Sequence, residues 1–347
     1  MKHTSDPQKG FAHLILLFIL LIGIVAGGIY WFSTKGMPVQ KKVAYTGPTE
    51  KIVIGNVGEH SVLNLIAKDN GYFSENGIDA EIKEYASGPA AITDLLAGKV
   101  QIAVGAEFAG VRTIFTNKDI RILAQSSKHK IFEMLGRKDR GINEPENLKG
   151  KKIGVTRKGA GEFFLGQFLT SYDIALSDIE LVDLPPADLV SQLESGALDA
   201  AVIYDPFAYN LKLKLGDALS EWSVQGDTKA HAMLYSTNTF IQGHEDLVRR
   251  YIQSVAEAER YVHENPDKTR AFLAEKFGYD DAYTTFMLEN VEYKLGLDQD
   301  LLLTMEDQSR WIIENKLTDE KKVPNYLNYI YFDALEKVKP ESITIIR

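Results

Sequence analysis

The 347-residue chain contains no cysteine. That excludes disulfides, thiolate zinc sites, iron–sulfur clusters, a cysteine nucleophile and a lipid-modified cysteine anchor. Histidine is sparse, at positions 3, 13, 60, 129, 231, 244 and 263. These positions have no metal-ligand spacing, so each reads as a surface or partly buried side chain, and neither a metal nor a cofactor is expected. There is no Walker loop, no G-x-S-x-G and no H-E-x-x-H, so the catalytic chemistries those motifs carry are not expected either. Clustered basic residues are also missing. The net charge is −9; the first fifty residues carry five Lys and two acids, leaving 34 basic and 46 acidic residues beyond them. An acidic body of this kind is a poor nucleic-acid binder, because the phosphate contribution needs clustered Lys and Arg.

What is present is an ordinary globular composition, 45% hydrophobic and 25% charged. The length suggests about two lobes. One long uncharged run stands out, residues 11–32, following a short tail at 1–10. At about 1.5 Å per residue it can cross a hydrocarbon core of about 30 Å. Tyr30 and Trp31 at its far end suit the membrane interface. The rival reading is a cleaved signal peptide, with small residues at Val25, Ala26 and Gly27. Either reading exports the body. Residues 33–50, with Gly36, Pro38, Gly47 and Pro48, read as a flexible tether.

The body repeats a grammar. Residues 51–55 form a strand candidate, a loop follows at 56–60, and a helix pattern starts at Ser61. An alternating strand surrounds Ile78, Ala80 and Ile82; a short helix ends at Gly98; a third strand follows with Val100, Ile102 and Val104. About a hundred residues later the order returns: strand 152–155, loop 156–161, helix, strand, helix ended by Gly196, strand 198–204. Laying Gly98 on Gly196 places Leu95 on Leu193, Val104 on Val202 and Glu107 on Asp205. Two strand–helix–strand–helix–strand units imply an α/β fold of two small, mostly parallel sheets flanked by helices. The remainder is mainly helical.

Gly159-Ala160-Gly161 follows a strand and opens a helix, which imitates a dinucleotide fingerprint. Phe164 occupies the third glycine position, so the match is poor. The loop does offer a helix N-terminus beside Arg157 and Lys158, a ready anion site. Ligands of open α/β sheets sit beyond the carboxyl ends of the strands. Here those ends fall at residues 56–60, 105–108, 156–162 and 205–207, with Ser87-Gly88 opening another helix.

The phrases KIVIGNVGEHSVLNLIAKDNGYF, AAITDLLAGKVQIAVG, LKGKKIGVTRKGAGEFFL, SQLESGALDAAVIYDPF and HEDLVRRYIQSVAEAERYVHENPDK stand in order from Lys51 onward. In this the chain resembles the solute-binding proteins of ABC transporters, in the nitrate/sulfonate/taurine subgroup. The resemblance implies a two-lobed, type II periplasmic-binding-protein fold, with residues 51–130 and 230–347 in lobe 1 and 131–229 in lobe 2. It implies a monomer that is not an enzyme. Such a protein captures a small anionic or zwitterionic organic solute between its lobes and hands it to permease and ATPase subunits outside the cytoplasm. Contacts carried over by position are Gly58, Glu59, His60, Ser87, Gly88, Glu107, Arg157, Gly159, Ala160, Gly161, Glu162 and Asp205. The chain has Asp205-Pro206 where members often have Glu-Pro.

The proposed contacts mix Arg157 and Lys158 with Glu59, Glu107, Glu162 and Asp205, so a zwitterion or cationic heterocycle fits better than a simple inorganic anion. Glu107 and Asp205 are expected to face each other across the cleft. A tethered sensor domain and a pyrimidine-precursor binding protein or synthase are the alternatives.

Overall fold

The computed structural model describes residues 45–347. The anchor-or-signal run 11–32 and linker residues 33–44 lie outside the described residues. Among the described residues no helix is long and apolar enough to cross a membrane.

The chain first lays down β1 (Glu50–Asn56), α1 (Val62–Asp69), β2 (Ile78–Glu84), α2 (Gly88–Leu96), β3 (Ile102–Ala106), α3 (Glu107–Ile114) and β4 (Ile120–His129). It continues through β5 (Phe132–Arg137), β6 (Lys152–Val155), α4 (Ala160–Ser171), β7 (Glu180–Asp183), α5 (Pro186–Ser195), β8 (Ala200–Tyr204), α6 (Phe207–Leu215) and β9 (Leu219–Ser223). The last stretch holds β10 (Ala230–Thr237), α7 (Glu245–Glu264), α8 (Pro266–Phe277), α9 (Asp281–Asn290), β11 (Val291–Gly296) and α10 (Gln299–Glu314).

Two sheets result, in the orders β11-β4-β10-β3-β1-β2 and β7-β6-β8-β5-β9. The repeat is visible in their centres. β1 lies between β2 and β3, and β6 between β7 and β8, all parallel. β3 and β8 have neighbours on both sides and bury nearly every residue, which is why IAVGA and AAVIY read as apolar runs. Gly98 and Gly196 close α2 and α5 with φ of +73° and +75°, a left-handed turn that glycine adopts without a Cβ penalty.

The expectation of mostly parallel sheets holds for these repeated triads only. β10 enters antiparallel between β3 and β4, β11 pairs antiparallel with β4, and β5 runs antiparallel to both β8 and β9. These strands fall outside the repeat; β5 and β10 follow the two crossings between the sheets, and β11 belongs to the returning segment.

Lys130 and Ile131 carry the chain from the first sheet to the second, and residues 224–229 bring it back. The buried Gln225 amide ties the two crossings. Its Oε1 accepts the N–H groups of Ile131 (2.7 Å) and Phe132 (2.9 Å), and its Nε2 donates to the carbonyls of His129 and Thr228.

A large apolar core runs under both sheets. Phe108 of α3, Phe163 of α4 and Trp311 of α10 meet edge-on and stacked, with centroids 5.6–5.9 Å apart. Gly166 permits this approach, because a Cβ there would lie 2.2 Å from the Trp311 ring. Residues 45–50 are docked as well. The Arg250 guanidinium lies 4.4 Å over the Tyr45 ring and pairs with Glu50 and Asp246.

Candidate functional site

Loops at the carboxyl ends of both triads border one cavity, about 510 Å³ of empty space counting its open mouth. The first-sheet side supplies Val57 and His60 after β1, Ser87 to Pro89 at the start of α2, and Ala106. The second supplies Phe132, Thr156, Gly159 to Gly161, Pro186 and Val202 to Tyr204. The Tyr204 hydroxyl donates to the Ala86 carbonyl (3.1 Å), bridging the two sides.

Two helix N-termini open onto this cavity, those of α2 and α4. Neither Ser87 nor Gly159 caps its helix with a side chain, so first-turn N–H groups are left for a ligand. Their partial positive charge suits an anion. The residue types follow from the crowding. A Cβ on Gly88 would stand 2.8 Å from the Gly105 Cα, so only glycine lets the α2 terminus sit against β3.

Of the residues expected from sequence, His60, Ser87, Gly88, Gly159, Ala160 and Gly161 line the cavity; Gly58, Glu59, Glu107, Arg157, Glu162 and Asp205 do not. Gly58, at φ +43°, opens the short turn that carries Glu59 and His60. Arg157 Nε donates to Glu162 Oε1 (2.9 Å), and the Lys158 N–H donates to Glu162 Oε2. Both residues therefore shape the α4 loop, with the buried Glu162 in the first turn where the helix dipole favours it.

The expected opposition of Glu107 and Asp205 is corrected by their partners. Glu107 is fully buried and accepts the His231 N–H (2.8 Å) and Gln308 Nε2 (2.8 Å), both from the first-sheet side. Burial pushes its carboxyl up to about 7. Asp205 Oδ1 accepts the Tyr209 N–H of α6 (2.9 Å), whereas the buried Oδ2 has no partner. Its carboxyl is raised to about 7 by burial first, then by the Glu133 charge, against Lys212 and the Tyr209 N–H. Glu59 is likewise raised to about 7, chiefly by burial, with the Asp205 charge adding a smaller push.

Reading the histidines as surface or partly buried residues fails for His60, His129 and His231, all buried. His60 stacks on His129 with centroids 4.5 Å apart, and burial lowers His60 to about 4. No sequence motif marked His129, Ser127, Tyr279, Tyr283 or Tyr293, whose polar atoms are buried without partners. One signal was available: Gln125 to His129 is a polar run inside a strand that is buried almost throughout.

A Bacillus subtilis (strain 168) protein named for binding aliphatic sulfonates is 25% identical over 322 residues, covering 90% of this chain and 92% of the relative. The taurine-binding periplasmic protein of Escherichia coli (strain K12) is 26% identical over 202 residues, 57% of this chain and 62% of that protein. Among solved structures, the alkanesulfonate-binding protein SsuA from Xanthomonas axonopodis pv. citri, bound to MOPS, superposes with a TM-score of 0.71 at 15% identity. That match covers 82% of this chain and 99% of SsuA, and it establishes the fold. The profile described as NMT1/THI5 like matches residues 59–269, and the chain belongs to that family.

Proposed function

We propose that the chain is the extracytoplasmic solute-binding component of an ABC importer and takes a small organic sulfonate or related anionic or zwitterionic solute into the cavity between its sheets. The observation that carries this reading is the pair of uncapped helix N-termini, one from each repeat, opening onto a single cavity. The names of the sulfonate- and taurine-binding relatives support the solute class and the extracytoplasmic location. Residues 51–130 with 230–347 act as one lobe and 131–229 as the other, hinged at the two crossings that Gln225 joins. Closure brings the α2 and α4 termini onto the solute, and the closed monomer docks on permease and ATPase subunits. Binding without chemistry is the activity, and residues 11–32 hold the body at the membrane.

Thermal unfolding of the full-length protein with taurine, ethanesulfonate and MOPS tests the reading. A solute at about 100 times its dissociation constant adds roughly 2.7 kcal/mol of stability. No shift with any organosulfonate or zwitterionic sulfonate would overturn the solute class. N-terminal sequencing of the mature protein tests the anchor: a start between residues 27 and 51 removes it.

A further inference from the structure

Most of the buried polar atoms without a hydrogen-bond partner fall together; Gln308 Oε1, beside Glu107, is the exception among the described residues. Among the described residues they include His60 Nε2, both His129 ring nitrogens, Ser127 Oγ, Asp205 Oδ2 and the hydroxyls of Tyr279, Tyr283 and Tyr293. Contacts knit these into one cluster beside the cavity. His60 and Tyr204, which line the cavity, lie 5.4 Å apart, and His60 stacks on His129. β11 pairs with β4 so that Tyr293 faces Ser127 and Val291 faces His129. Tyr283 is packed between Tyr209 (4.3 Å) and Tyr279 (4.5 Å), and the Tyr209 N–H holds Asp205. Glu59 is buried on the turn that carries His60.

Buried polar atoms are almost always paired, so a group of this size with none is a place built for something else. Its composition decides what. Asp205, from the second sheet, presents a buried carboxyl oxygen with no partner, and Glu59, from the first, is buried on the turn beside His60. The nearby Lys212 is already committed to Glu133, at 2.7 and 2.9 Å from its two oxygens. Glu84 adds a further negative charge on the Glu59 side. The rest are aromatic rings and neutral imidazoles. An anion finds no cation here, and an apolar group would leave every orphan unpaired.

We propose that this cluster is an amine-recognition site in which an ammonium or amidinium group of the solute donates to Glu59 and Asp205 and is enclosed by the Tyr204, Tyr283 and Tyr293 side chains. A cation converts the repulsion of the two carboxyls into two attractions, and desolvated aromatic side chains add to it. The α2 and α4 termini take the acid end. The proposal rests on the solute-binding reading and adds that the solute is a zwitterion or an organic cation.

Calorimetry on the full-length protein tests it with taurine, isethionate (the same sulfonate with a hydroxyl for the amine), ethanolamine and benzamidine. Taurine is expected to bind about tenfold or more tighter than isethionate, in line with one charge-assisted contact in a dry site. Glu59→Gln and Asp205→Asn are expected to collapse that ratio toward one. Tyr283→Phe and Tyr293→Phe reduce it severalfold and decide the matter if the carboxylate variants do not fold. Isethionate binding as tightly as taurine, or a ratio preserved in every variant that folds, overturns the proposal and leaves the sulfonate reading intact. Amines binding while sulfonates do not upholds the cluster and overturns the sulfonate class. Binding of no probe overturns both.

Discussion

Gln225 and Ile131 face each other across the two strand crossings, with Gln225 Oε1 2.7 Å from the Ile131 nitrogen. A single side-chain amide thereby satisfies backbone groups on both segments that join the sheets. It is itself saturated, with two bonds accepted and two donated. The amide holds the two crossings in register with each other.

Replacing that amide by an apolar group of similar size leaves two buried N–H groups and two carbonyls to find water. Gln225→Leu is expected to cost about 2–4 kcal/mol, from an unpaired-group penalty of about 1–3 kcal/mol each with partial relaxation. Urea denaturation reads it as a lower midpoint at constant slope. A loss under about 0.5 kcal/mol would mean that solvent reaches the crossings.

The tyrosines offer a contrast in sign. Tyr251 donates to Asn64 at 2.8 Å, and its loss as Tyr251→Phe should cost about 1 kcal/mol. Tyr283 and Tyr293 have hydroxyls with no partner. Tyr283→Phe and Tyr293→Phe should leave stability unchanged or raise it, because a desolvated hydroxyl is exchanged for an apolar edge. A loss above about 1 kcal/mol in either variant would show that the hydroxyl is paired in solution.

Stability should also depend on pH through the Glu59 and Asp205 pair. Both carboxyls rise to about 7 in the folded chain, from ordinary values of 4.5 and 3.8. The folded state therefore holds more protons between those limits, so the stability these groups contribute is complete below pH 4 and is lost as pH rises through 7. His60 and His231 work oppositely: their folded values of about 4 lie below 6.5, and stability rises with pH in that interval. Glu59→Gln separates the two. Relative to the parent it should gain between pH 5 and 8, by up to about 3 kcal/mol for a displacement of this size. A difference that stays flat from pH 5 to 8 refutes the assignment.

Gly88 tests the anion end. An added methyl at 2.8 Å from the Gly105 Cα must push α2 away from β3. Gly88→Ala is expected to cost about 1–3 kcal/mol of stability. It should also weaken ethanesulfonate binding by about tenfold or more, since the N–H groups of the first turn move with the helix. Retained affinity in a folded Gly88→Ala protein would remove the α2 terminus from the site.

The sheet triads were legible because each element carries its own period and stop: alternation at Ile78, Ala80 and Ile82, and left-handed glycines at 98 and 196. Positions offering backbone to the cavity, Gly88 and Gly159 to Gly161, were legible because each precedes or opens a helix after a strand; at Gly88 the close approach of Gly105 demands glycine. The side-chain partners were not. Glu107 and Asp205 occupy equivalent places in the repeats, yet His231 and Gln308 engage one and Tyr209 the other. Those partners arrive from 124, 201 and 4 residues away, and only the first two depend on the return of the chain through β10 and α10. The sequence positions of Tyr283 and Tyr293, likewise on the returning segment, hold no hint of Asp205 or Glu59.

Trp311 connects that returning segment to α4. It stands perpendicular to Phe163 of α4 at 5.6 Å and against Phe108 of α3 at 5.9 Å, over the bare Gly166. Phe163 lies only two residues beyond Gly161 of the cavity, so the ring contact and the α4 terminus move together. If the proposed lobes rotate apart, the Trp311–Phe163 contact separates while Trp311–Phe108, within one lobe, does not, so only the first favours the closed arrangement. On the proposed closure, a solute binds through the closed population, and its apparent affinity falls by the fraction of that population lost. Trp311→Ala should raise the dissociation constant of the best-binding probe by about tenfold through the lost Phe163 contact, alongside a loss of stability from the emptied space beside Phe108. Trp311→Phe should restore part of the affinity. Equal affinity in parent and Trp311→Ala would reduce the contact to ordinary core packing and argue against lobe closure at this edge.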